Sequence, residues 1–296
     1  MLKFSVILPE KKLADQLEVF LENEQLDRWT IEKNNISGKY RLCGYVDSLE
    51  IGNKDFLRIV SEFKDLPKAK ILKIKKDGWE MAYRNSAKPW QCENLRWIPL
   101  WMKDQVQLKE NDVPVYIEPG MAFGTGAHET TQMCAYTLVM FQNLYKKTDD
   151  LVIKNCIDAG CGSGILGISA IKLGLSHATM IDIDPDAVRI ARENAILNEV
   201  YPDQIDFVVG DLRTNLLGRQ TDLLMANILA NVLVDNADLL VNSVNAGGLL
   251  CLSGILAREA DDVKEVFVKL VNKRWSSNMC TSSINGEWAS ISFFRG

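Results

Sequence analysis

The run Ile157-Asp158-Ala159-Gly160-Cys161-Gly162-Ser163-Gly164-Ile165 constrains this chain more than any other stretch. Residues 152–157 are short, apolar and strand-like, and residues 163–172 are apolar over a helical length. The glycines therefore form a turn between a buried strand and a helix. Without Cβ atoms the backbone can approach a ligand closely, and the first helical turn offers N–H groups that have no partner within the helix.

Two details narrow the ligand. The spacing is GxGxG, with Ile165 where a dinucleotide fingerprint needs its third glycine. Asp158 also precedes the glycines, where its charge repels a pyrophosphate but suits an amino-acid ammonium or its water shell. Both details favour S-adenosylmethionine over a nicotinamide dinucleotide, although a glycine turn alone serves either class.

The residues that follow keep alternating. Strands are expected at 178–183, 205–209, 222–226 and 248–252, and helices at 185–198, 232–241 and 257–271. Asp184 is placed to cap the first of these helices, with Pro185 at its first position. Such alternation predicts an α/β domain with a largely parallel, doubly wound sheet. The end differs: residues 279–282 and 288–294 flank Asn285-Gly286, a strong hairpin signal. A terminal hairpin adds an antiparallel strand, a variant characteristic of methyltransferases that use S-adenosylmethionine.

Candidate ligand contacts fall at the strand ends, where open α/β sheets bind ligands. Asp182 lies 22 residues after Gly160 and can accept both ribose hydroxyls. Asp211, after the third strand, is either an adenine contact or a plain turn acid. Asn227 ends the fourth strand in Ala226-Asn227-Ile228-Leu229-Ala230, where many amino-methylating enzymes carry Asn-Pro-Pro-aromatic. No aromatic follows here, which argues against a nucleobase acceptor. A second glycine-rich loop, residues 118–131 with Phe123, Gly124 and Thr131, is suited to fold over the donor's methionine end.

Charge and cysteine content bound the setting. The chain of 296 residues carries a net charge of −5, which argues against direct nucleic-acid binding and suits a basic protein partner. Residues 1–76 hold 15 Lys/Arg against 12 Asp/Glu, a local excess of +3 that marks a boundary. Seven cysteines without a CxxC pair, and no long apolar run, predict reduced thiols in a cytoplasmic protein with no membrane segment. With only two histidines, no metal site is expected.

Residues 1–76 read as strand, helix, strand, strand, helix, strand, which predicts a small ferredoxin-like α+β domain suited to recognition. Residues 77–110 contain Trp79, Trp90, Trp97 and Trp101 and are expected to be a linker, its aromatics pinned to a neighbouring surface. Residues 111–296 would then form the catalytic domain.

Taken together, FGTG with Thr130-Thr131, GCGSGIL, DIDP, ANILA and LSGIL resemble the PrmA family, the methyltransferases of ribosomal large-subunit protein eleven. Ala127 and Glu129 stand where the family loop has threonine and proline. The resemblance implies a substrate-recognition domain, a linker and a seven-stranded Rossmann-like methyltransferase sheet. It also implies methyl transfer from S-adenosylmethionine to lysine side-chain and α-amino groups of a ribosomal protein. Family cofactor contacts carry over to Thr131, Gly160, Asp182 and Asn227, and Asp158, Gly162, Gly164, Asp211, Phe123 and Gly124 join them as candidates. Asn227 is the candidate catalytic residue, aiming the amine's lone pair; His128 is either a proton acceptor or an orienting residue. The alternatives are another protein or a small amine as acceptor, or a binding subunit that has lost catalysis.

Overall fold

The computed structural model describes residues 2–24, 26, 28–33, 39–46, 48–73, 88–118, 126–145 and 154–296. It divides into two compact units, Met1–Ser86 and Ala87–Gly296.

The first unit runs β1 (Leu2–Ile7), α1 (Lys11–Asn23), β2 (Trp29–Lys33), β3 (Tyr40–Val46), α2 (Leu49–Glu62) and β4 (Lys70–Lys73), in the expected order. Its antiparallel sheet has the order β2-β3-β1-β4. Alternation along β1 sends Phe4 and Val6 into a core with Leu17, Leu42 and Ile59, while Lys3 reaches Glu32. Ser48 starts α2 by accepting the Ile51 N–H at 3.2 Å.

The second unit begins with β5 (Trp90–Cys92), β6 (Leu95–Pro99) and β7 (Val113–Ile117), a small sheet in that order. Part of the stretch expected to be a linker is therefore folded. The reason is its tryptophans: Trp97 is buried and donates its indole N–H to Ser169 Oγ at 2.8 Å. Trp90 packs on Trp97 and meets Tyr136 edge-on. Trp79 lies outside the described residues.

Then come α3 (Glu129–Tyr145), β8 (Asn155–Ala159), α4 (Ile165–Lys172), β9 (His177–Asp182), α5 (Pro185–Leu197), β10 (Ile205–Val209), α6 (Leu212–Asn215) and β11 (Thr221–Asn227). The chain ends with α7 (Ala230–Asp235), α8 (Ala237–Asn242), β12 (Val244–Leu256), α9 (Ala260–Arg274), β13 (Asn278–Asn285) and β14 (Trp288–Arg295). The single helix expected over 232–241 is broken in two at Asn236. The large sheet has the order β10-β9-β8-β11-β12-β14-β13, parallel through β12 and antiparallel at β14 and β13. In the hairpin Asn285 pairs with Trp288, so Gly286-Glu287 makes the turn, one residue later than expected.

Helices cover both faces, giving two cores. One packs α3, α4 and α5 against the even-numbered side chains of β8, and the other packs α7, α8 and α9 against the odd-numbered ones. No described helix is long and apolar enough to cross a membrane. Among the described residues no three His, Cys, Asp or Glu side chains group as a metal site.

Candidate active site

The strand order decides where a ligand can sit. The chain winds from β8 out to β9 and β10, then returns to β11 on the other side of β8. Helix α4 leaves β8 on one face and α7 leaves β11 on the other, which opens a crevice at the strands' carboxyl ends. A cleft of about 630 Å³ lies there, lined among others by Gly160, Gly162, Asp182, Asp211 and Asn227.

Its floor is the glycine turn. The Gly160 and Cys161 N–H groups donate to the Ile181 carbonyl, which fixes the turn to the end of β9. Gly160 has φ +78, and a Cβ there would stand 2.2 Å from Ile228 Cγ2. Both the backbone conformation and the close packing of Ile228 demand glycine.

Asp182 sits beside this floor. One carboxylate oxygen accepts the Gly162 N–H at 2.9 Å and the other accepts the Asp184 N–H at 3.0 Å. Each oxygen keeps a lone pair for a hydroxyl donor. Asp184 caps α5 as expected, accepting the Asp186 N–H at 2.9 Å. Asp211 caps α6 by accepting the Arg213 N–H at 2.7 Å, the turn role weighed for it, and it also lines the cleft.

Asn227 ends β11, and its amide nitrogen donates to Thr131 Oγ1 at 3.2 Å. Its amide oxygen is buried and has no hydrogen-bond partner among the described residues. Thr131 is itself buried and does not line the cleft; its hydroxyl meets Asn227, which does. The neighbouring Thr130 is held from two sides. Its carbonyl accepts from Ser253 Oγ at 3.1 Å, and its hydroxyl lies 2.7 Å from His128 Nδ1.

Besides Thr131, two further candidates do not reach the cleft. Asp158 is buried with the even-numbered side of β8, and its carboxylate accepts the Gly167 N–H at 2.9 Å. The N–H of the third residue of α4 lacks a helical partner, so the acid serves the helix start rather than a ligand ammonium. Burial, reinforced by the charge of Asp182, pushes its pKa up to about 7. The same burial, with these two acids nearby, holds the Cys161 thiol well above its ordinary range. Gly164 caps α4 at φ +79 and lets the helix approach α5: a Cβ would meet Ala191 Cβ at 3.0 Å. Phe123 and Gly124 lie outside the described residues.

The structure adds lining residues that the motifs did not single out. Ile183 and Leu229 stand 73% and 65% exposed beside the cleft, apolar surfaces suited to the faces of a purine. Ile183 directly follows β9 and Leu229 lies two residues beyond β11, a signal present in the sequence. Trp288 has no local signal, because pairing with Leu256 across β14 and β12 brings it there. Asn194 of α5 and Asn198 at its carboxyl cap also escaped notice. Asn194 accepts the Glu118 N–H at 3.0 Å and Asn198 brackets Tyr116 at 2.7 Å, which fixes the end of β7 just before the second glycine-rich loop.

Known proteins share this arrangement. The family model for ribosomal protein L11 methyltransferase (PrmA) matches residues 7–295. The chain belongs to this family. It is 37% identical to the ribosomal protein L11 methyltransferase of Pseudomonas aeruginosa over 204 residues, 69% of this chain and 65% of that one. The match thus spans just under two thirds of that relative's length. The Photorhabdus laumondii protein of the same name is 35% identical over 247 residues, 78% of this chain and 77% of that one. The crystal structure of a ribosomal protein L11 methylase from Lactobacillus delbrueckii subsp. bulgaricus superposes with a TM-score of 0.56 at 26% identity, covering 69% of this chain and 96% of that one.

The cleft fits the methyl donor that the motifs imply for a PrmA protein. An acid at the end of β9 suits a ribose, apolar side chains flank the space beside it, and an unpaired buried amide oxygen stands across the glycine turn. Gly160, Gly162, Asp182, Asp211 and Asn227 all line the cleft.

Proposed function

We propose that this protein transfers methyl groups from S-adenosylmethionine to amino groups of ribosomal protein L11, at lysine side chains and the α-amine. The observation that carries the reading is the state of Asn227. It ends β11 at the sheet's crossover, its nitrogen is tied back to Thr131, and its oxygen is left without a partner. When bound, S-adenosylmethionine supplies an electrophilic methyl on a positively charged sulfur.

The chain's task is to present a neutral amine in line with that methyl. A lysine of pKa ~10.4 costs roughly 4.6 kcal/mol to neutralise at pH 7. Orientation supplies ~7–11 kcal/mol, so positioning outweighs the need for a strong base. Asn227 accepts an amine N–H through its free oxygen and turns the lone pair toward the donor. Asp182 holds the ribose through the lone pairs that its two backbone N–H bonds leave open. Gly160 and Gly162 let the backbone close on the donor without a Cβ.

The strand order and antiparallel pairing of the first unit support a ferredoxin-like module, to which we assign recognition of the protein substrate. Seven unbridged cysteines support a cytoplasmic setting. The net charge of −5 supports a basic protein partner rather than direct nucleic-acid contact.

The test is incubation with labelled donor and ribosomal proteins from cells lacking the modification, followed by mass mapping. Label on amines of L11 is expected. Label confined to another protein or to small amines overturns the substrate, and donor binding with no labelled product overturns the activity.

A further inference from the structure

Carboxylates line only one half of the cleft among the described residues. Asp182 ends β9, Asp211 follows β10, and Asp235 lies 3.9 Å from Arg213 of α6. The other half lies over the ends of β11, β12 and β14, where Asn227, Gly254, Trp288 and His128 line it. Glu129 comes within 4.0 Å of His128 Nδ1 but does not line the cleft.

An amine entering this second half arrives as an ammonium and has to shed a proton before it can attack. A carboxylate at the mouth would oppose that loss by favouring the charged form. An indole attracts a cation through its ring quadrupole and takes no N–H bond from it. Trp288 is set for this use. Its backbone is paired on both sides, with Leu256 and with Asn285. Its ring meets that of His128 at 67° with centroids 4.9 Å apart, and His128 is anchored in turn on Thr130 Oγ1 at 2.7 Å. The sequence puts no aromatic after Asn227; the fold supplies one from the last strand.

We propose that Trp288 is the residue that selects the acceptor, its indole holding the charged amine at the mouth by a cation–π contact in place of a carboxylate. This rests on the methyl-transfer reading above. It predicts that recognition depends on positive charge and not on N–H donors, so an ammonium whose hydrogens are all replaced by methyls is held as well.

The full-length protein, saturated with S-adenosylhomocysteine, is titrated with choline and with 3,3-dimethylbutan-1-ol, which shares choline's shape but not its charge, and binding is followed by NMR. The wild type is expected to prefer choline by about 2- to 30-fold. Trp288→Leu is expected to abolish the preference and Trp288→Phe to retain a smaller one. Equal binding of the two probes by the wild type overturns the proposal. So does a preference that survives in Trp288→Leu with its melting temperature kept, or one undiminished in Trp288→Phe where the leucine variant does not fold. A protein that binds no S-adenosylhomocysteine sinks the methyl-transfer reading and this proposal with it. One that binds it and methylates its substrate, yet ignores the charge of the probe, sinks only the role of Trp288.

Discussion

Asn227 donates its amide N–H to the hydroxyl of Thr131 at 3.2 Å, joining two residues 96 positions apart in the chain. The bond fixes which end of the amide is free. With the nitrogen engaged, the oxygen has no partner among the described residues, so β11 ends in an acceptor beside the glycine turn. Thr131 is held in place by helix α3, and the preceding residue is tied to β12 through Ser253. The first turn of α3 and the ends of β11 and β12 thus meet around one amide group.

Replacing Asn227 by alanine is expected to lower kcat by about 10²-fold at saturating donor, the scale seen when one preorganised polar contact to a reacting group is lost. Thr131→Val keeps the amide but frees its rotation and orphans its nitrogen. It is expected to lower kcat by about tenfold, within the 1–3 kcal/mol range of an unsatisfied buried group. Single-turnover kinetics check both. Full turnover in Asn227→Ala excludes the proposed role of this side chain.

Asp182→Asn is expected to weaken donor binding by roughly 10- to 100-fold, because a hydrogen bond to a charged group is worth ~1.5–3 kcal/mol. The loss should appear in the calorimetric Kd and hardly in kcat at saturating donor. The asparagine oxygen can still accept one of the two N–H groups that the carboxylate now serves, so the turn should stay folded. An unchanged Kd would remove Asp182 from the donor site.

The sequence was most informative where chemistry is local. The strand–turn–helix around Gly160, the acid ending β9, the Asp184 cap and the terminal hairpin all depend on residues within a few positions of one another, and each is present, the hairpin turn displaced by one residue. Side-chain direction was harder to read. Asp158 precedes the glycines, yet strand alternation turns it away from the cleft and under α4. Gly164 belongs to the same motif but serves the packing of α4 on α5. Residues set by long-range pairing left no local trace: Trp288 reaches the mouth only because β14 inserts beside β12, and Trp97 ties a stretch resembling a linker to Ser169 of α4.

Gly160→Ala tests the floor of the cleft. The new methyl would stand 2.2 Å from Ile228 Cγ2 at a backbone φ of +78, so the turn or the start of α7 has to move. Donor affinity is expected to fall by at least tenfold, with a lowered melting temperature as the second sign, since non-glycine residues at this conformation cost about 1–2 kcal/mol. The double variant Gly160→Ala with Ile228→Ala relieves the contact but not the conformation. It is expected to recover part of the binding loss, and no recovery would show that the close packing of Ile228 is irrelevant.

The raised pKa of Asp158 makes a prediction about stability against pH. In the unfolded chain this carboxyl titrates near 3.8, and in the folded protein burial pushes it up to about 7. Between these values the folded state binds the proton that the unfolded state has lost. Stability from this group therefore falls as pH rises from about 4 to 7 and is level above that. The full swing is on the order of 4 kcal/mol. Asp158→Asn keeps an oxygen for the Gly167 N–H and has no charge to bury. Denaturant unfolding of the wild type and the variant at a series of pH values should give curves that diverge across this window, the variant gaining relative stability toward pH 7. Parallel curves would mean that the folded protein leaves this carboxyl with an ordinary pKa, and that something other than a buried, proton-binding acid supports the start of α4.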